Sequence, residues 1–402
     1  MINIEQFISS HITFRKESFF EQDLANAGDE LYSAINNKSV LVIGGGGTIG
    51  SSFIRELLRF KPAKLFVADL SENYLTELTR DLRSTYGLTV PADYKTYPIN
   101  FDDPIFYRIL ADAGPFDIVA NFAAHKHVRS EKDHFSVTAL LQNNIIKAVK
   151  LLETLAQQPP ENFFCVSTDK AANPVNIMGA SKKIMEEVIL SYSDRFNITT
   201  ARFANVAFSN GSLLAGYLER MMKQQPLSCP SDIKRFFVSP KESGQICLLA
   251  CILGKTGDIF FPRLAETQMM NFKDITLDFI REMGYTPLVC GSEQEARYEA
   301  TRMHAHPKSY PVFFFESDTS GEKTYEEFYT TDEQLDIDTF TSLGVIKNAV
   351  RKPLAEITAM LNELTDVLEL QDVTKADIVQ VMRRFLPGFH HIETGKNLDQ
   401  KM

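Results

Sequence analysis

The stretch VSTDKAANPVNIMGASKK, Val166 to Lys183, concentrates side chains able to move protons. Asp169 and Lys170 stand side by side after an apolar run, with the hydroxyl of Thr168 just before them. A carboxylate and an ammonium so placed form an acid/base pair in which each charge shifts the other's pKa. A solvated surface ion pair is the plainer reading. The position between a strand and a helix speaks against it, because open parallel sheets bind ligands beyond the carboxyl ends of their strands. Lys182 follows Met178 by four residues, so the two share one helix face. A thioether neither takes nor returns a proton, so proton transfer here falls to the neighbouring Asp-Lys pair. Lys183 points to another face and reads as a solvated surface lysine.

A second motif, VIGGGGTIGSS, follows an apolar strand and opens a helix. Gly44, Gly47 and Gly50 give the spacing G-x-x-G-x-x-G, with Thr48 and Ile49 at the helix start. Glycines there permit a tight turn and a close approach of backbone to a pyrophosphate, while the helix N-terminus offers unpaired N–H groups. A glycine turn alone is a weak signal. Here it has its strand, its helix and an acid: Asp69 ends the next strand about 20 residues on, where a carboxylate binds the ribose hydroxyls of a dinucleotide. A carboxylate repels a 2′-phosphate, so NAD is expected rather than NADP, with Arg80 and Arg83 close enough in sequence to weaken that preference.

These residues need a scaffold, and the chain supplies one. The apolar runs SVLVIG, KLFVAD, DIVANFAA, NFFCVST and ITTARFANV alternate with helical patterns such as Ile49, Phe53 and Leu57. Short buried strands alternating with helices predict an α/β fold, a doubly wound parallel sheet of Rossmann type. We expect a helical N-terminal extension over 1–37, with Ile4, Phe7 and Ile8 on one side. The cofactor domain spans 38–205 and also receives parts of 236–262. A smaller, mainly substrate-binding region covers 206–330. A helical C-terminal extension, 331–402, ends in polar residues expected to fray.

The 402 residues carry a formal net charge of −10 and show no basic stripe, which excludes an electrostatic nucleic-acid footprint. The five cysteines lie mostly in apolar stretches with no partners at metal-ligand spacing, so they read as buried thiols of a reducing compartment, and no metal is expected. His125 and His127 bracket Lys126 but make no metal site by themselves. The N-terminus lacks a signal pattern, and the longest apolar run, ICLLACILG, falls short of the roughly 20 residues a membrane helix needs. A soluble, cytoplasmic protein with no membrane partner is the expectation.

The reactive stretch resembles the signature of the UDP-N-acetylglucosamine 4,6-dehydratases, the polysaccharide-biosynthesis branch of the extended short-chain dehydrogenases. Short-chain dehydrogenases generally carry Tyr-x-x-x-Lys; in this branch the first position is Tyr or Met, and Met178 matches the second form. Further motifs resemble the family's in order: AAHKHV at Ala123–Val128, NNI around Asn144, ARFANVAFSNGS with Ala204 in place of a glycine, IKRFFVSPKES around Arg235, and SGEKTYEEF around Glu322 and Lys323. The match spans roughly residues 38–330. The N-terminal helical segment and the helical tail further resemble the dehydratases of legionaminic-acid-type pathways.

The resemblance implies UDP-N-acetylglucosamine as substrate and a tightly held NAD regenerated in each cycle. Oxidation at carbon 4 acidifies carbon 5, water leaves across carbons 5 and 6, and hydride returns to carbon 6. It implies Lys170 as the base at carbon 5, Asp169 as the acid for the departing hydroxyl, and Thr168 on the carbon 4 oxygen. Lys182 would orient the nicotinamide ribose. With Met178 in place, the carbon 4 proton passes to Asp169 or to a water held by Lys182. Implied cofactor contacts are Gly44, Gly47, Thr48, Ile49, Gly50, Asp69, Asn100, Phe101, Ala123, Ala124 and Lys182. Implied substrate contacts are Lys126, Asn144, Asn205, Arg235, Glu322 and Lys323. Met178 associates with retention at carbon 5. A carbon-5-inverting dehydratase, a UDP-sugar 4-epimerase and an NAD-binding scaffold without turnover are the alternatives. A homo-oligomer is expected, paired through Ser136–Leu155 and Ser181–Phe196, although the apolar positions there could equally be core.

Overall fold

A computed structural model describes residues 2–318 and 320–395; the polar end of the tail, 396–402, lies outside the described residues. Five of its strands fall on the five apolar runs. They are β1 (Ser39–Ile43), β2 (Lys64–Asp69), β4 (Ile118–Asn121), β5 (Asn162–Val166) and β6 (Asn197–Ala201), with β3 (Asp93–Pro98) between the second and third of them. β3 reads DYKTYP, half polar and half exposed, so no apolar run announces it; as the outer strand it needs one paired edge only. The sheet has nine strands among the described residues, in the order β3-β2-β1-β4-β5-β6 followed by Ile259–Pro262, Leu343–Ile346 and Leu335–Asp336. β1 pairs in parallel with both β2 and β4, so the chain reverses direction across the sheet at β1. That reversal opens the crevice in which doubly wound sheets bind ligands.

The strand Ile259–Pro262 extends β6 in parallel. The segment 331–402 departs from the helical extension expected of it. It first adds two antiparallel strands to the sheet, and only then forms the helices Leu354–Leu368 and Lys375–Phe385. The run LGVI is buried at all four positions, lying between Ile259–Pro262 and the outermost strand Leu335–Asp336.

Apolar side chains cover both sheet faces. On one, the helix Thr48–Leu58 contributes Phe53 and Leu57, fully buried against the helix Pro240–Leu253 and the N-terminal residues Leu24, Leu31 and Ile35. On the other, the helix Ile177–Leu190 packs with the two C-terminal helices through Ile184, Val188, Ile357 and Met382. Lys352 fastens this layer, pairing with Glu187 at 3.1 Å and lying 3.5 Å over the ring of Phe385. Within Ser181–Phe196, offered above as a pairing surface, only Asp194 and Arg195 are exposed in the single chain, where the helix packs on Gln142–Ile146, Lys147–Leu155 and, to a lesser extent, Lys375–Phe385.

The region 206–330 builds a separate three-stranded parallel sheet from Leu227–Pro230, Ser309–Phe315 and Thr286–Cys290. Its own core includes Phe7, Ile8 and Ile12 from the N-terminal segment, which thus serves both layers of the molecule.

Candidate active site

β5 ends at Val166, and the chain leaves it through Thr168 into a single tight turn, Asp169–Ala171. One oxygen of Asp169 accepts three donors: the Thr168 hydroxyl at 2.9 Å, the Lys170 backbone N–H at 2.9 Å and the Lys170 ammonium at 3.1 Å. Asp169 is 4% exposed, so this carboxylate is held by geometry rather than by solvent. The Lys170 Nζ also lies 3.7 Å from Oε1 of Glu326, a residue with 4% exposure. Arg235 completes the corner, with Nη2 at 3.9 Å from Glu326 and 4.0 Å from Glu322. Its other guanidinium nitrogen donates to the carbonyls of Lys234 and Thr324 at 2.9 and 3.1 Å. Thr168, Asp169, Lys170, Arg235 and Glu322 are therefore brought together from three segments.

Burial works against the Lys170 ammonium, but Asp169 and then Glu326 outweigh it and raise its pKa above the ordinary lysine value. Burial pushes the Glu326 carboxyl up, and the attraction of Lys170 offsets only part of that. Lys170 at rest is thus an ammonium, and it must lose a proton before it can accept one. Glu326 was absent from the residues singled out in the sequence. It stands four positions after Glu322 in SGEKTYEEF, and only the fold shows that this acid, and not its exposed neighbour Glu327, faces inward.

The reactive helix, Ile177–Leu190, is capped by two side chains. Asn176 accepts from Gly179 N–H at 2.7 Å, while the buried carboxylate of Glu131 accepts from Ile177 N–H at 3.0 Å and Met178 N–H at 2.8 Å. An anion there complements the helix dipole. Gly179 is required by packing: a Cβ would stand 2.6 Å from the carbonyl oxygen of Lys170. The helix start is thereby pressed onto the Asp169–Lys170 turn. Met178 is 3% exposed and belongs to the apolar core on this face, so the thioether fills space there. Lys182 points to the end of β5, where its ammonium donates to the Val166 carbonyl at 2.7 Å. Burial lowers its pKa, with Cys165 and Glu186 opposing in part. Beneath it, Glu186 is paired with the fully buried Arg202 at 2.9 Å and accepts from Ser167 at 2.6 Å, a brace that fixes the strand end.

The glycine turn follows β1, two strands from β5 at the same carboxyl edge of the sheet. Gly44 has φ +74°, and a Cβ on it would stand 2.5 Å from the Ala123 nitrogen, so the turn closes directly onto the end of β4. Asp69 accepts from Gly46 N–H at 2.9 Å and from Ser71 N–H at 2.9 Å, which ties the acid to the turn. Gly47 precedes the helix Thr48–Leu58, whose first N–H groups open toward the turn. Ala123 N–H donates to Asn121 at 3.0 Å, Asn100 accepts from Asp102 N–H at 3.0 Å, Phe101 is buried, and Ile49 and Ala124 are half-buried. A glycine cradle at a helix start, with a carboxylate at the end of β2, fits a dinucleotide.

Lys126 donates to the Asn210 carbonyl at 3.0 Å, and Asn210 N–H donates to Thr48 at 2.9 Å, so one loop touches both the turn and the strand-end lysine. Beside it lies a cavity of about 420 Å³ lined by His125, His127, Arg129, Lys132 and Gly211 among others. Asn144 sits in a π-turn of its helix with 3% exposure. It brackets His125 through both backbone groups, at 2.8 and 3.0 Å, and donates to Ser181 at 3.1 Å. The amide joins the loop after β4 to the reactive helix. Asn205 pairs by its backbone with Phe236, and Lys323 is half-buried beside the corner. All five cysteines are buried and free, and no group of metal-ligating side chains occurs among the described residues. No helix among them is long and apolar enough to cross a membrane.

Comparison with known proteins agrees with this architecture. The family described as polysaccharide biosynthesis protein matches residues 40–347. The chain is 31% identical over 259 residues, 62% of its length and 74% of the relative's, to the uncharacterized membrane protein MJ1061 of Methanocaldococcus jannaschii. It is 28% identical to the capsular polysaccharide biosynthesis protein CapD of Staphylococcus aureus, over 77% of this chain and 50% of the relative. It thus spans about half the length of that protein. An inverting UDP-N-acetylglucosamine 4,6-dehydratase of Campylobacter jejuni is 24% identical over 59% of this chain and 70% of its own. Among solved structures, Pen from Bacillus thuringiensis superposes with a TM-score of 0.62 at 21% identity, covering 82% of this chain and 98% of that one. A dTDP-glucose 4,6-dehydratase from Streptomyces venezuelae follows at 0.54 and 16%, covering 72% and 87%. The fold is that of the extended short-chain dehydrogenases, and the chain belongs to the polysaccharide biosynthesis protein family.

Proposed function

We propose that the chain catalyses the 4,6-dehydration of UDP-N-acetylglucosamine to a 4-keto-6-deoxy sugar, with retention at carbon 5 and NAD as cofactor. The observation that carries this reading is the pair of buried Asp169 and half-buried Lys170 beside Met178. The site has an acid and an amine at one strand end, and in place of a phenol it has a packed thioether. Support for UDP-sugar chemistry, though not for retention, comes from relatives named as inverting UDP-N-acetylglucosamine 4,6-dehydratases and as UDP-glucose 4-epimerases. A neighbouring structure contains NAD.

Gly44, Gly47, Thr48, Gly50 and Asp69 would hold the dinucleotide, with Ala123, Ala124 and Lys182 nearer its nicotinamide end. Bound there, it would supply a hydride acceptor for carbon 4 and a hydride donor for carbon 6. Asp169 takes the carbon 4 hydroxyl proton and later delivers it to the carbon 6 hydroxyl, which departs as water. Neutral Lys170 takes the carbon 5 proton and, as the ammonium, returns it. Protons and atoms balance, and the product is the substrate less one water. One amine that removes and returns the proton on one face gives retention. Arg235 would face the diphosphate, since a planar donor fork matches phosphate.

Proton NMR of the chain with UDP-N-acetylglucosamine in heavy water tests the proposal. A new 6-methyl signal beside a 4-keto or hydrated sugar supports it, and the carbon 5 coupling reports the configuration. Interconversion at carbon 4 without a methyl signal would instead make the chain an epimerase. Unchanged substrate, even with NAD and then NADP added, would overturn the proposal.

A further inference from the structure

We propose that Glu326 is the proton store of the site, a positioning residue that takes the ammonium proton of Lys170 and so frees the amine to act at carbon 5. The inference rests on the dehydratase reading. It starts from a conflict in the geometry. Lys170 is the amine next to Asp169, yet two carboxylates, Asp169 at 3.1 Å and Glu326 at 3.7 Å, favour its charged form. A base must be neutral. The proton has to go somewhere, and Asp169 must keep its own capacity for the carbon 4 and carbon 6 oxygens.

Glu326 is the remaining acceptor. It is buried, so its neutral form is favoured, and its Oε1 is near both Lys170 and Arg235. The charged groups facing it are Lys170 and Asp169 from the turn after β5, Arg235 from its short strand, and Lys323 from its own loop. Glu322 shares Arg235 with it. When Arg235 turns to a diphosphate, Glu326 loses a counter-charge and its affinity for a proton rises. The transfer is from Lys170 Nζ to Glu326 Oε1, through a small closure of the 3.7 Å gap or a bridging water. An ammonium and a carboxylate become an amine and a carboxylic acid, with no proton exchanged with solvent. Glu326 then stays protonated while Lys170 takes and returns the carbon 5 proton.

This predicts a pH signature that a purely structural role would not produce. With an internal store, the active and resting forms hold the same number of protons. The single-turnover rate of elimination is then flat across roughly pH 6.5 to 9. In Glu326→Gln the proton must leave to solvent, so the rate should be low at neutral pH and climb about tenfold per pH unit. Deuterium wash-in at carbon 5, followed by NMR alongside product formation, reads the step directly. A flat profile in Glu326→Gln, at full or reduced rate, overturns the proposal while leaving the dehydratase intact. Should that variant fail to fold, Glu326→Ser, which leaves room for water, is measured in its place, and a flat profile there is equally decisive. If the wild-type chain makes no 4-keto-6-deoxy sugar, the dehydratase reading fails and this inference falls with it.

Discussion

The glycine turn after β1 and the Asp169–Lys170 corner after β5 lie at the same carboxyl edge of one parallel sheet but are built in different ways. The turn is local: its glycines, helix start and Asp69 lie within one strand-turn-helix-strand unit, and it presents backbone N–H groups. The corner is assembled from Thr168–Lys170, Arg235 and Glu322–Glu326, segments far apart in the chain, and it works through charged side chains taken out of water. A local backbone site tolerates changes elsewhere in the molecule, whereas a site of buried charges depends on every partner being delivered together.

Asp169→Asn should break the contrast most sharply. The carboxamide keeps the shape but cannot relay protons, so product formation should fall by about 10³-fold or more, near the upper range for general acid–base groups. Bound nicotinamide, read by absorbance after gel filtration, should remain. Loss of both would show that the two sites are not separable. Gly44→Ala attacks the other side. Its methyl would stand 2.5 Å from the Ala123 nitrogen at a φ of +74°, a strain of about 1–3 kcal/mol. Cofactor retention should drop by up to about 100-fold while the Asp169 corner keeps its geometry, a result that titration calorimetry would measure.

Met178→Tyr sharpens the role of the thioether. Because Met178 is packed in the core, a phenol there must displace neighbours, and a loss of about 1–3 kcal/mol in thermal or denaturant unfolding is expected. A variant as stable as wild type with faster turnover would show instead that the position opens to the substrate. The smallest effect concerns the C-terminal strap. Glu393 contacts Lys375 and accepts from Ser320 at 2.7 Å, beside the loop that carries Glu322. Burial alone would raise its pKa, but the hydrogen bonds from Lys375 and Ser320 prevail and hold it at about 2, below the ordinary 4.5. Its contribution is therefore present above pH 4.5 and lost as the pH falls toward about 2. Amide exchange over residues 389–395 should loosen in that window, and Glu393→Gln should make it loose already at neutral pH.

Much of the frame was legible because its signals are local. Five apolar runs, the glycine spacing and Asp69 each follow from neighbouring residues, and each appears where the pattern put it. β3 was missed because an edge strand needs no apolar run. The strands at 335–346 were hidden in a tail dominated by helical residues. That Asn144 brackets the loop after β4 depends on where that loop runs, which no local pattern encodes.

What the chain determines by itself is the parallel sheet, the phosphate turn and the presence of Asp169, Lys170 and Lys182 after one strand, since periodicity and short-range spacing encode all three. Tertiary structure alone decided that Glu326 faces Lys170, that Glu131 caps the reactive helix, and that the C-terminal helix Lys375–Phe385 packs against that helix. Each of these joins residues more than forty positions apart. No local pattern specifies such contacts; they arise when burial forces distant charges to find partners or leave the core.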